Sequence, residues 1–207
     1  MNSLAIRALR DSLVLTERQR QLLEGMLLGD AHLERQSGRA VARLKIEHSQ
    51  SQAAYVDWKY HEWRDWVLTP PSVRRKTSRP GTQSLNVSFS TLSHGELEKV
   101  RQRFYPEGRK VVPFDVTLTP LSLAVWFMDD GSRKSRECRG LYLNTQGFSL
   151  LGVETLREHL RAAYGLRTTQ RQQSDGLQIY VPSDVVKRFV EIVQPHMHPS
   201  MCYKLPG

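Results

Sequence analysis

Cysteine is scarce in this chain: Cys138 and Cys202 are its only two in 207 residues. So small a number supplies no disulfide framework, and the expected setting is a reducing, intracellular one. Long apolar runs are missing as well. No stretch approaches the ~20 apolar residues that a membrane-crossing helix requires. The N-terminal segment MNSLAIRALRDSLVLTERQR is broken by Arg and Asp, which makes it a poor secretory leader and suits a short amphipathic helix or a loose arm. Acidic residues are outnumbered, 21 against 30 basic ones, for a net charge of +9. Together these shortages exclude a secreted disulfide scaffold and a helical membrane protein. What remains is a soluble globular chain, 39% hydrophobic and 25% charged, long enough for one large domain or two small ones.

An excess of positive charge calls for a polyanion, an anionic membrane or an acidic partner. Only 8 of the 30 basic residues are lysine. Arginine forks phosphates and guanine edges bidentately, which points to nucleic acid. Arginine also accumulates in chains from GC-rich genomes, so charge alone does not settle the partner.

The chain contains an internal near-repeat. One apolar helix is expected over Thr16–Glu34 (TERQRQLLEGMLLGDAHLE) and another over Thr119–Ser132 (TPLSLAVWFMDDGS). Thr16, with Gln19 three residues on, reads as a capping box, and Thr119 caps a helix that has Pro120 at its first position. Downstream, the strand-like run Val41–Gln50 and a helix from Ala53 to about Trp66 answer to Gly140–Gln146 and a helix over Leu150–Tyr164. Paired strands follow in each half, SVRRKTS with SLNVSFST and LRTTQRQQ with GLQIYVPS, turning at Pro80-Gly81 and Asp175-Gly176. A last helix, GELEKVRQRFY or SDVVKRFVEIVQP, closes each half. The order read from the residues is α-β-α-β-β-α, twice. The divisions expected are an arm over 1–15, a first half over 16–106, a linker over 107–118 and a second half over 119–207.

Asp30, Asp129 and Asp130 stand at helix C-termini, where an acid costs roughly 0.3–1 kcal/mol. A rule broken at equivalent points of a repeat calls for a compensating cation. Magnesium suits carboxylate and carbonyl oxygens and keeps waters for a phosphate substrate. Gly25 and Gly29, four apart on one helix face, would let another backbone approach, at a cost of about 1 kcal/mol each relative to Ala.

LLEGMLLGDA (Leu22–Ala31) and LSLAVWFMDDG (Leu121–Gly131), with WVLTPP, LYLNTQGFS and the terminal MCYKLPG, resemble the LAGLIDADG homing endonucleases of the single-chain, two-motif kind. The resemblance runs from about residue 16 to 207. It implies an α+β fold of two pseudo-symmetric αββαββα halves, a saddle of antiparallel sheets with the motif helices paired at the interface. It implies that Asp30 and Asp130 bind Mg²⁺, joined by the carbonyls of Gly29 and Asp129, while Lys110 and Lys204 act beside them. Mn²⁺ is the expected substitute, and Ca²⁺ is expected to bind without supporting cleavage. Such enzymes hydrolyse both strands of duplex DNA across the minor groove, leaving four-base 3′ overhangs. Two departures stand out: Gly29 replaces a usual acid, and Glu24 interrupts the apolar face.

Gln50 and Gln146, at matching strand ends, are candidate water-positioning groups. DNA contacts are expected from Arg43, Lys45, Arg74, Arg75, Lys76, Arg139, Arg167, Arg171 and Gln173 on open strand faces, and from Arg133, Lys134 and Arg136 toward phosphates. His196, His198 and Cys202 lack a zinc-finger spacing. Trp58, Trp63 and Trp66 read as core on a helix. Two motifs in one chain imply a monomer on a non-palindromic site. The competing readings are an RNA maturase that helps an intron splice and a DNA-binding regulator that does not cut. Both acids and both lysines argue against the regulator.

Overall fold

The computed structural model describes residues 4–77 and 83–206. The chain divides into two compact units, one of residues 1–20 and 30–102, the other of residues 21–29 and 103–207. The expected turn at Pro80-Gly81 lies outside the described residues. No described helix is long and apolar enough to cross a membrane.

The N-terminal segment forms a helix, α1 (Leu4–Ser12), with no buried residue. Helix α2 (Glu17–Leu28) follows, and its N-terminus carries the expected reciprocal bonds: Thr16 Oγ1 accepts from the Gln19 amide and Gln19 Oε1 accepts from the Thr16 amide, both at 3.1 Å. The helix stops at Leu28, six residues short of the expected Glu34. Gly29 and Asp30 break it, and the next residues form a strand, β1 (His32–Arg35). A four-residue edge strand is too short for its periodicity to show against the flank of a helix. It pairs antiparallel with β2 (Ala42–Ser49).

Helix α3 (Ala53–Glu62) ends earlier than expected, with a 3-10 turn at Arg64–Trp66 completing the segment. Strands β3 (Ser72–Thr77) and β4 (Gln83–Ser90) complete a sheet of order β1-β2-β4-β3, and α4 (Gly95–Phe104) follows. In β2, Ala42, Leu44, Ile46 and His48 are buried while Arg43, Lys45 and Glu47 between them are half-exposed. That alternation turns one face of the sheet to α3, where the Tyr60 ring meets Phe89 edge-on at 5.7 Å. Glu98 on α4 ties the same face through its ion pair with Arg35. Trp63 and Trp66 are fully buried, and Trp58 is half-buried and stacked on Tyr55 at 5.6 Å.

The other unit repeats the order. Helix α5 (Pro120–Asp130) has Pro120 at its start and Thr119 and Ser122 in a capping box. Leu121 through Asp129 are all buried, as a helix apolar all round should be. Strand β5 (Gly131–Arg133) begins where α5 ends, so Ser132 is strand rather than helix. Then come β6 (Leu141–Asn144), α6 (Leu150–Tyr164), β7 (Thr169–Gln173), β8 (Gly176–Val181) and α7 (Ser183–Val193), with sheet order β5-β6-β8-β7. The Phe127 and Phe189 rings join α5 to α7 at 5.1 Å. Gly176 opens β8 at φ 140°, and a Cβ there would run into the Gln146 backbone, so only glycine serves this turn.

Both series of elements, α2 to α4 and α5 to α7, are therefore αββαββα in an α+β fold. The residue-by-residue reading lacked one short strand in each half, β1 and β5. The resemblance supplied both.

Candidate active site and nucleic-acid interface

The residues of α2 from Gln21 onward pack with α5 in one unit. A Cβ added at Gly25 would stand 2.9 Å from Val125 Cβ and closer still to the Ser122 carbonyl oxygen. One added at Gly29 would stand 2.8 Å from Asp129 Oδ2 and closer to its Cβ. The two glycines thus remove side chains where the second motif helix presses closest, which offsets their cost in helix propensity.

Both helix ends carry a lysine. Lys110 Nζ donates to the Gly29 carbonyl oxygen at 2.7 Å, and Lys204 Nζ donates to those of Met128 and Asp129 at 2.6 and 2.9 Å. An ammonium on the last carbonyls of a helix relieves the negative end of its dipole. Each ammonium thus answers part of the negative charge gathered at its helix C-terminus. The carbonyls that the resemblance assigns to a metal are thus already lysine acceptors, although a carbonyl oxygen has a second lone pair to offer. Asp129 is buried, and Asp130, the last residue of α5, is half-buried.

Glu24, the departure on the apolar face, has a partner in the same unit. Arg103 donates to Glu24 Oε1 at 2.7 Å and to Asp115 Oδ1 at 2.9 Å. Burial pushes the Glu24 carboxyl up despite the guanidinium. Its hydrogen bond to Arg103 holds Asp115 below the usual carboxylate range. Arg103 therefore clamps the motif helix to the segment that leads into α5.

Asp30 belongs to the other unit and is exposed. Its Oδ2 lies 3.4 Å from Nδ1 of His48, a buried residue near the end of β2. His48 Nε2 is in turn 2.9 Å from Nζ of buried Lys59 on α3. Sequence reasoning chose Gln50 here, but Gln50 is exposed in the 3-10 turn that follows β2. The signal for His48 was present: alternation in LKIEHS puts it on the buried face. In the second half, Thr145 occupies the corresponding buried position after Leu141 and Leu143, and its hydroxyl donates to the Leu177 carbonyl at 2.7 Å. Gln146 follows it, half-buried.

The open sheet faces differ in chemistry. In the first unit, register places Arg43, Lys45, Arg74 and Lys76 on the face turned away from α3, while Arg75 shares the opposite face with Val73 and Val87. Two acids lie among these cations. Arg43 Nε donates to Glu34 at 2.8 Å, and Lys76 and Asn86 each donate to Glu47 at 2.8 Å. Hydrogen bonds from Lys76 and Asn86 hold Glu47 below its usual range. Partial burial works against the same shift at Glu34, but Arg43 outweighs it. A cleft of about 410 Å³ runs along this face under α1, and Arg10 and Arg39, absent from the sequence-based choice, join its lining.

In the second unit the open face is aromatic and amide-rich. Arg171 donates to the Tyr142 hydroxyl at 2.7 Å, and Gln178 links Gln173 to Asn144 at 3.2 and 2.6 Å. Lys134 lies 5.1 Å over the Tyr180 ring. Arg133 ends β5 opposite Leu141, and Arg136, Arg139 and Arg167 are exposed beyond the strands. His198 caps the 3-10 turn Pro199–Lys204, and Cys202 Sγ points to the His198 carbonyl at 3.7 Å.

Residues 20–189 match the family described as LAGLIDADG DNA endonuclease family. Cytochrome b mRNA maturase bI2 of Debaryomyces hansenii is 29% identical over 192 residues, spanning 89% of this chain and 72% of that protein. Probable intron-encoded endonuclease 1 of Wickerhamomyces canadensis is 28% identical over 198 residues, spanning 92% of this chain and 85% of that protein. Among solved structures, the homing endonuclease I-WcaI bound to its DNA recognition sequence is similar with a TM-score of 0.93 at 26% identity, covering 99% of this chain and 93% of that one. The family match spans most of the chain and takes in both motifs, Leu22–Ala31 and Leu121–Gly131. This chain belongs to the LAGLIDADG DNA endonuclease family.

Proposed function

We propose that this chain is a site-specific endonuclease that hydrolyses both strands of duplex DNA at a long, non-palindromic target, with Asp30 and Asp130 as its magnesium-binding carboxylates. The observation that carries the reading is the pair of lysines, Lys110 and Lys204, seated on the carbonyls that end the two motif helices. Cations there neutralise the helix ends and bring positive charge to the point where each motif presents its aspartate. Carboxylates with backbone carbonyls are a donor set that fits a hard divalent cation. Gly29 fits the same purpose, since any side chain there would fill the space beside Asp129. Magnesium held by this set would supply a water of lowered pKa and Lewis acidity at the scissile phosphate.

The chain's own groups do the rest. Lys110 and Lys204 lower the charge cost of the pentacovalent phosphate. Arg43, Lys45, Arg74 and Lys76 meet one stretch of the duplex with charge, while Arg171, Gln173, Gln178 and Asn144 meet another with hydrogen-bonding forks and amides suited to base edges. Unlike faces in the two halves suit a monomer on an asymmetric target.

The test is cleavage of a plasmid library with randomised inserts by the purified full chain. Linear product with Mg²⁺ or Mn²⁺, none with Ca²⁺ despite retained binding, and none with Asp30→Asn or Asp130→Asn protein is the expected pattern. Intact DNA throughout, together with faster splicing of an intron transcript, would establish the second reading, an RNA maturase. The likeness to a cytochrome b mRNA maturase favours that reading next.

A further inference from the structure

Behind Asp30 lies a chain of polar side chains within its own unit. His48 and Lys59 are both buried, at 5% and 1% exposure. Burying a lysine costs free energy unless its charge is used. Lys59 Nζ lies 4.3 Å from the Tyr55 ring centroid, and the same ring is 5.4 Å from that of His48, so aromatic faces line the ammonium and the imidazole alike. As an ammonium, Lys59 has protons to give and no lone pair to accept one. Its 2.9 Å contact with His48 Nε2 therefore requires that nitrogen to be the acceptor, which leaves the imidazole proton on Nδ1. Nδ1 faces Asp30 Oδ2 at 3.4 Å. The order is ammonium, imidazole, carboxylate.

We propose that Lys59 and His48 are positioning residues for Asp30: Lys59 selects the His48 tautomer, and His48 holds one carboxylate oxygen so that the other is presented to the metal. The proposal rests on the metal-binding role given to Asp30 above. Outer groups that hydrogen-bond a metal ligand fix its orientation, and their loss typically costs about 10–100-fold in metal affinity or activity. The second half has no histidine at the corresponding position. There, Thr145 is 1% exposed and donates to the Leu177 carbonyl, so its hydroxyl is committed to joining the inner strands.

Two measurements on the full chain test this. The first needs no variant: two-bond ¹H–¹⁵N spectra of the wild type at about pH 8, above the ordinary histidine range, should show His48 protonated at Nδ1 and bare at Nε2. The second is titration of Mn²⁺ alone, read by loss of the free-ion electron paramagnetic resonance signal, with circular dichroism as a check on folding. Mn²⁺ affinity should fall about 10–100-fold in His48→Leu and in Lys59→Met. His48→Asn, whose amide nitrogen can stand in for Nδ1, should retain most of it. An Nε2-protonated imidazole overturns the proposal, and so do wild-type affinities in folded variants. Should the variants not fold, the wild-type tautomer decides. Failure of the wild type to bind Mn²⁺ would instead remove the metal-binding role of Asp30, and with it the nuclease reading, leaving the tautomer as a separate result.

Discussion

Lys204, in the last turn of the chain, donates to two successive carbonyls of α5, those of Met128 and Asp129. It thereby places a positive charge at the end of the helix where two acids follow one another. Lys204→Met should therefore separate two effects. Loss of the dipole interaction costs about 1 kcal/mol of stability, whereas the catalytic role proposed for Lys204 predicts single-turnover cleavage slowed on the order of 10²-fold. Melting curves and cleavage rates taken on the same protein distinguish them. A rate that falls no further than the folded fraction would make the lysine purely structural.

The glycines of the first motif helix give a second prediction. Gly25→Ala gains about 1 kcal/mol of helix propensity, but the new methyl meets the Ser122 carbonyl, which is backbone and cannot swing aside. Overpacking of this kind costs about 1–3 kcal/mol, so the net effect should be a loss, with Tm lowered by a few degrees. Gly95→Ala is the control, because a Cβ there meets nothing within 4 Å. Calorimetry showing Gly25→Ala as stable as Gly95→Ala would contradict the close packing of the motif helices.

Acid should weaken the first unit through Glu98. Its hydrogen bond to Arg35 holds that carboxyl below the usual range, against the opposing effect of its burial. A carboxyl with a depressed folded pKa contributes stability that is present above its unfolded pKa and lost as pH falls through the folded one. As pH falls below about 4.3, the ordinary glutamate value, the wild type should lose more stability than Arg35→Gln, and the gap between them, steady from there up to neutrality, should narrow. At pH 7 the variant should be the less stable of the two. Urea denaturation at several pH values reads both. A gap independent of pH would show that the pair acts through packing.

Neighbouring arginines should behave differently toward DNA. Arg74 stands opposite Asn86 on the face that bears Arg43 and Lys45, while Arg75 stands opposite Leu85 on the other face. Arg74→Ala should lower affinity and reduce the slope of log affinity against log salt by about one unit. Arg75→Ala should change neither by more than the loss of a distant charge requires. Equal effects from both substitutions, measured by fluorescence anisotropy on one duplex, would refute the assignment of the sheet's outer face to DNA.

Much of this arrangement is legible in the residues. Thr16 with Gln19, and Thr119 before Pro120, are signals within a few residues of one another, and such local signals act wherever the chain goes. Alternation in ARLKIEHS marks a strand half-buried on one face. The strands β1 and β5 were not legible, since four and three residues at a sheet edge carry no periodicity of their own. Arg75 looked like Arg74 and Lys76 because register, not composition, decides which face a side chain takes, and a step of one residue reverses it.

By itself the sequence determined the repeat, the two acidic motif ends and the glycines that let helices approach, because each follows from spacing along a single element. Only the tertiary structure decided that His48 and Lys59 stand behind Asp30, that Arg103 answers Glu24, and which carbonyls Lys110 and Lys204 reach. Those partners are up to 81 residues apart in the chain. Long-range partners of this kind are chosen by how strands and helices pack, and a buried charge announces only that it needs one, not which residue will supply it.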